Sequence, residues 1–139
     1  MTSKKRRIQQ IIGMLALCIC GAAVYELPYL SWTFYDGIVA YFKVTDAQMG
    51  YLMSVYGIAC VISYLPAGWV ADRFKAKHLI ALALLSTSAV GAVVALFPSY
   101  PVLLVCYALY GITTTVPLWS AMMKATRELG ASKEMGRLY

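Results

Sequence analysis

The chain has 139 residues, of which 61% are hydrophobic and 13% charged, whereas soluble globular chains are about one-quarter charged. A chain this short buries only about two-thirds of its surface on folding, which excludes a water-soluble core and leaves lipid as the solvent for the apolar surplus. The net charge of +6 does not indicate nucleic acid, because the basic residues fall in three clusters between long apolar stretches and not on one face or stripe.

Residues 1–10 form a basic N-terminus with Lys4, Lys5, Arg6 and Arg7. The first apolar stretch covers 11–35. It runs past Val24 through Tyr25, Leu27, Pro28, Tyr29, Leu30 and Trp32, interrupted only by Glu26 and Ser31, and so reaches the roughly 20 residues a bilayer demands. Trp32, Phe34 and Tyr35 form an aromatic cluster of the kind that favours the headgroup level. A basic start followed by an apolar run is also the pattern of a secretory signal peptide, and Leu15-Ala16-Leu17-Cys18 mimics a lipoprotein cleavage box. The run continues well beyond that box and three more spans follow, so the stretch is taken as the first of four.

The second stretch covers 46–70. It opens on Thr45-Asp46-Ala47-Gln48, a capping-box pattern that predicts a helix start. The third covers 78–97 and the fourth 101–123. Only Pro98-Ser99-Tyr100-Pro101 separates these two, a tight turn that makes them an antiparallel hairpin. Residues 124–139 are a tail. Continuously apolar runs such as Leu79 to Leu85 exclude alternating barrel strands, so the expected fold class is an all-α membrane protein with four transmembrane helices.

Basic residues in short loops set orientation. The N-terminus, the loop between spans two and three (Arg73, Lys75, Lys77) and the tail (Lys124, Arg127, Lys133, Arg137) carry eleven, against Lys43 alone on the other side. Both termini are therefore expected in the cytoplasm, in a multi-pass protein of the cell inner membrane. Cys18, Cys20, Cys60 and Cys106 all lie in apolar stretches and read as packing residues. His78 sits at the edge of span three and reads as interfacial. No phosphate-binding glycine loop or nucleophile–base spacing occurs, so neither catalysis nor a cofactor or metal is expected.

The loop after span two reads Gly68-Trp69-Val70-Ala71-Asp72-Arg73-Phe74-Lys75-Ala76-Lys77. It resembles the signature loop of the major facilitator superfamily, G-x-x-x-D-R-x-G-[RK]-[RK], which joins helices two and three there. Gly68, Asp72, Arg73 and Lys77 match, while Lys75 and Ala76 depart from the pattern. On physical grounds Gly68 allows close helix approach, and Asp72 can pair with Arg73 or with a neighbouring helix end. The resemblance gives this loop a gating role, holding one state closed through charge contacts with the other half of the carrier. Glu134-Met135-Gly136-Arg137 is similar to the E-x-G-R that often precedes helix five in the family. In span four, Tyr107 stands near where family members often carry an arginine. The resemblance covers nearly the whole chain but only the first third of a typical twelve-helix member, so the chain is expected to be the N-terminal portion of a half-bundle, completed by a missing half or by further copies.

Glu26 is the ionisable residue deep inside a span, about 6 Å from the midplane at 1.5 Å per residue. Such a charge is costly, faces a cavity and often serves function. The alternatives for it are a substrate or proton site and a structural carboxyl bonded to a nearby Tyr or Ser. Pro28 kinks the helix, and Tyr29 and Thr33 share the face of Glu26. In span four, Thr114 and Trp119 are further pathway candidates around Pro117. Of the three consecutive threonines there, at least one is expected to bond back to its own backbone. Ser88 and Ala92, beside Gly91, give span three a small-residue face for packing.

These readings favour secondary-active transport of a small solute by alternating access, with a coupling proton at Glu26. The resemblance extends to sugar-phosphate and organic-anion carriers, but those place an arginine in helix one and none lies in this first span, so an anionic substrate is disfavoured. The alternatives are a four-helix proton-coupled multidrug exporter acting as a dimer, and a non-transporting membrane assembly subunit.

Overall fold

A computed structural model describes residues 3–96 and 98–129. All of its regular structure is helical: α1 (Ser3–Thr33), α2 (Tyr35–Phe42), α3 (Asp46–Arg73), α4 (Ala76–Ala95), α5 (Tyr100–Thr113), a π-helical segment (Thr114–Trp119) and α6 (Ser120–Leu129). Four membrane-crossing stretches result, Gln10–Thr33, Asp46–Arg73, Ala76–Ala95 and Tyr100–Arg127. The fourth is built from α5, the π segment and α6. It runs beyond residue 123, so Lys124 and Arg127, expected at the start of a tail, are helical. Glu134 to Arg137 lie outside the described residues.

The helix starts follow local chemistry. Thr45 Oγ1 accepts from the Gln48 backbone N–H at 3.2 Å, and Gln48 Oε1 accepts from the Thr45 N–H at 2.9 Å. This closes the expected capping box and satisfies two donors that a helix N-terminus leaves orphaned. The short amphipathic α2 was not foreseen. It ends at Lys43, which adopts the left-handed conformation (φ 52°) and donates its N–H to Val39 O, a turn that brings the chain back toward α3.

Span four is the centre of the bundle. Of its most apolar window 56% is buried, against 17–22% for the other three spans. It packs on α3 through α5 and the π segment, and on α4 along its length. α1 reaches the bundle mainly through α4 and α6. The outer faces of α1, α3 and α4 remain apolar, with Ile12, Ile19, Val61, Leu65 and Leu85 exposed, as lipid-facing surfaces are. Buried polar side chains collect in and beside span four: Thr87, Thr114, Thr115 and Ser120.

Pro117 explains the π segment. It has no N–H to continue the α-helical ladder, and the backbone widens over Thr114–Trp119. Side-chain hydroxyls add hydrogen bonds to carbonyls near the break. Thr114 Oγ1 donates to Tyr110 O at 2.7 Å, Thr113 Oγ1 donates to the same carbonyl at 3.3 Å, and Ser120 Oγ donates to Val116 O. Thr87 on α4 then donates to Thr113 Oγ1 at 3.1 Å, tying α4 to the break.

Two expectations about close packing are corrected. Among the described residues a Cβ added at Gly68 would meet nothing within 4 Å, so this glycine opens no helix contact there. The close approach lies at Gly111, where a Cβ would come within 2.6 Å of Tyr56 O and 2.7 Å of Ala59 Cβ. Ser88 and Ala92 are exposed, and α4 instead packs through Ala76, Leu79, Ala83, Thr87 and Val90.

Candidate translocation pathway and signature loop

Glu26 lies on the open face of α1 and is exposed. Among the described residues it makes no hydrogen bond or ion pair, so no neighbouring Tyr or Ser holds it as a structural carboxyl. Pro28, two residues on, is fully buried, and α1 remains continuous through it to Thr33. Around Glu26 the aromatic rings form a ladder. Tyr25 and Tyr29 have centroids 6.4 Å apart, and Tyr29 meets Trp32 edge-on at 6.1 Å. Tyr29 also packs edge-on against Tyr56 of α3 at 5.7 Å.

Tyr56 links the first span to the fourth, because it is buried in one cluster with Cys106, Tyr107 and Tyr110. Cys60 Sγ in turn points to Gly111 O at 3.7 Å. Tyr29 thus meets the span-four cluster through Tyr56, a residue that sequence reasoning passed over. Thr114 is fully buried and its hydroxyl is spent on Tyr110 O, so it shapes span four from within. Thr33 is exposed at the end of α1, and Trp119 is partly exposed on the π segment. No described contact joins either of them to Glu26.

The signature loop is short, and α3 ends at Arg73 with α4 starting at Ala76. Asp72 is exposed and among the described residues pairs with no base. Arg73 places its guanidinium 4.6 Å from the Trp69 ring centroid, a cation–π contact, and of the two partners open to Asp72, Arg73 or a neighbouring helix end, it pairs with neither among the described residues. The end of α3 is instead held by Lys124 of α6. Its Nζ donates to Ala71 O at 2.8 Å and to Phe74 O at 3.0 Å, placing a cation where a helix C-terminus leaves carbonyls orphaned and partly negative. Lys75, Lys77 and Lys124 border a cavity of about 390 Å³ there. In the sequence Lys124 reads only as a topology signal. Its position directly after Met123 leaves no sequence trace of the partner it caps.

At the opposite end, the Tyr35 hydroxyl donates to Asp46 Oδ1 at 2.8 Å. That hydrogen bond, with burial and the charges of Asp46 and Asp36 adding to it, raises the phenol above its ordinary value of 10.0. No cluster of three metal-ligating side chains occurs among the described residues, and Cys18, Cys20, Cys60 and Cys106 are free thiols.

Four apolar helices, the proline-broken central span and the D-R loop between spans two and three define a four-helix membrane bundle. The family model for the Major Facilitator Superfamily matches residues 14–139, and the chain belongs to that family. It is similar to the inner membrane protein YihN of Escherichia coli (strain K12), 30% identical over 123 residues, which is 88% of this chain and 29% of that protein. Inner membrane protein YqcE of the same organism is 30% identical over 127 residues, 91% of this chain and 30% of YqcE. The probable galactarate/D-glucarate transporter GudP of Bacillus subtilis (strain 168) is 36% identical over 81 residues, 58% of this chain and 18% of GudP. The chain therefore spans about three-tenths of the length of the first two relatives. No solved structure matches it.

Proposed function

We propose that this chain supplies four helices to a secondary-active carrier that moves a small solute by alternating access, with Glu26 as the proton or cationic-group contact. Glu26 carries the reading: it is an acid within a span, on the open face of α1, without a partner among the described residues. A charge in that position is costly unless it faces water, other helices or substrate. Tyr29 and Thr33 extend the same face, while Thr114 and Trp119 act from the broken fourth span. Helix breaks near a midplane site are a general feature of such carriers.

In this reading the remaining helices come from further chain, a partner half or other copies. The protein sits in an inner membrane, as its two Escherichia coli relatives are named for. The basic loop and both termini face the cytoplasm, supported by the eleven-to-one distribution of basic residues. Gly68, Asp72, Arg73 and Lys77 form the gating loop, and the unpaired Asp72 is available to a partner helix end. An acidic sugar of the kind named for GudP would need a cation within the spans. The first span has none between residues 11 and 33, which favours a neutral or cationic solute. Family membership favours this reading over the dimeric four-helix exporter.

The test is uptake into proteoliposomes with an internal pH dye and a panel of neutral, cationic and dicarboxylate solutes. Glu26→Gln is expected to insert normally and to lose proton-coupled flux. Equal flux in the variant removes Glu26 from the mechanism, and absence of flux for every solute favours the assembly-subunit reading.

A further inference from the structure

At the signature-loop end of the bundle, a cavity of about 390 Å³ is bordered by Lys75, Ala76, Lys77 and Lys124. Neither Glu26 nor transport bears on it. Beside it Ala76 and Leu79 of α4 are buried against Ala121 of α6, so three lysines from two elements stand around a firmly packed corner.

No described acid neutralises these lysines. The ammonium groups of Lys75 and Lys77 are exposed and have no partner among the described residues. Lys124 spends two N–H groups on Ala71 O and Phe74 O. An ammonium has three, so one is left. Asp72 is the acid nearest in sequence, and it pairs with none of the three. A cleft lined by charge of one sign concentrates the opposite ion. The backbone adds to this field. α4 starts without a side-chain cap at Lys75 and without an acid in its first turn. His78 and Leu79 donate to Lys75 O, whereas the N–H groups of Ala76 and Lys77 find no acceptor among the described residues. Orphaned donors of this kind suit a phosphate oxygen.

The depth of the cavity selects the source of the phosphate. The second membrane-crossing stretch ends at Arg73 and the third begins at Ala76, so the lysines stand at a membrane boundary. Phe74, next to Lys75, is 52% exposed, and Leu82 and Leu85 are exposed deeper along α4. A phospholipid can use the lysines and this apolar surface together, whereas a free phosphate uses the lysines alone. A choline or ethanolamine headgroup would bring its own cation against three others, and a glycerol headgroup brings none.

We propose that this cavity holds the phosphate of an anionic phospholipid of the phosphatidylglycerol type. Lys75, Lys77 and the remaining N–H of Lys124 meet its free oxygens, and its acyl chains run along Phe74 and α4.

The experiment is native mass spectrometry of the full chain, released from micelles doped with equal amounts of phosphatidylglycerol and phosphatidylcholine bearing the same acyl chains. The chain is expected to retain phosphatidylglycerol in preference. Lys75→Gln/Lys77→Gln is expected to retain one phosphatidylglycerol fewer, its affinity for that lipid falling about tenfold or more, since each lysine beside an anionic headgroup contributes several-fold. Lys75→Arg/Lys77→Arg, which keeps the charge, is expected to restore it. Lys43→Gln/Arg127→Gln removes the same charge outside the cavity and is expected to leave retention unchanged. Circular dichroism of each variant reports its folding. Inorganic phosphate and glycerophosphoglycerol, added at millimolar concentration, are expected not to displace the lipid, and displacement by either assigns the cavity to a free anion and overturns the proposal. Equal retention of the two lipids, unchanged retention in Lys75→Gln/Lys77→Gln, or equal loss in Lys43→Gln/Arg127→Gln also overturns it.

Discussion

Gly111 is a point of close approach between spans two and four, and its replacement tests how this bundle is held together. A Cβ there would stand 2.6 Å from Tyr56 O, 2.7 Å from Ala59 Cβ and 3.1 Å from Cys60 N. Carbon atoms prefer separations of about 3.5–4.0 Å, so α5 must retreat from α3 by about 1 Å. Two of the three contacts are backbone atoms, and no rotamer change moves them aside. Overpacking of this kind costs about 1–3 kcal/mol, and exchanging glycine for alanine in a helix returns about 1 kcal/mol. Gly111→Ala is therefore expected to lose on the order of 1 kcal/mol net, and Gly111→Leu considerably more. In lipid no hydrophobic force pushes helices together, so lost van der Waals contact is not made up elsewhere. Gly57 in α3 is the control, because a Cβ there meets nothing within 4 Å, and Gly57→Ala is expected to be neutral or stabilising. Reversible unfolding in mixed micelles, followed by circular dichroism, measures all three. A Gly111→Ala variant as stable as Gly57→Ala would refute the close-approach argument.

Three further outcomes follow from described contacts. Lys124→Met removes two hydrogen bonds from a cation to the end of α3; each charged bond is nominally worth about 1.5–3 kcal/mol, but partial exposure reduces the pair to about 1 kcal/mol, read in the same unfolding assay, and an unchanged midpoint would show the cap to be idle. Ser31→Ala deletes a buried hydroxyl that meets no partner within hydrogen-bond geometry and is expected to stabilise the protein by about 1 kcal/mol, so a destabilised variant would reveal a bond between that oxygen and the Tyr107 phenol. The Tyr35 phenol is held above 10.0, first by its hydrogen bond to Asp46; a raised value means the contact contributes fully below the ordinary phenol range and is lost as pH rises through the raised value. Ultraviolet titration of phenolate is expected to show Tyr35 ionising at lower pH in Asp46→Asn, and identical titrations would dissolve the pair.

The sequence by itself determined four membrane-crossing helices, the capping box at Thr45 and the family loop around Asp72, because these depend on neighbours along the chain. Run length against bilayer thickness, a side chain three residues from its backbone partner and a spaced motif all survive without tertiary information. Only the tertiary structure decided that span four is central, that Gly111 and not Gly68 carries the close contact, that Ser88 and Ala92 face outward, and that Lys124 caps α3. The reason is the solvent: lipid is as apolar as a neighbouring helix, so a span buried in protein and a span facing hydrocarbon have nearly the same composition, and no polar face marks which side packs. Lys124 and Ala71 are 53 residues apart, and nothing local to either names the other. Helix identity was fixed by each stretch on its own, whereas helix neighbours were fixed by fit between surfaces that do not differ in hydrophobicity.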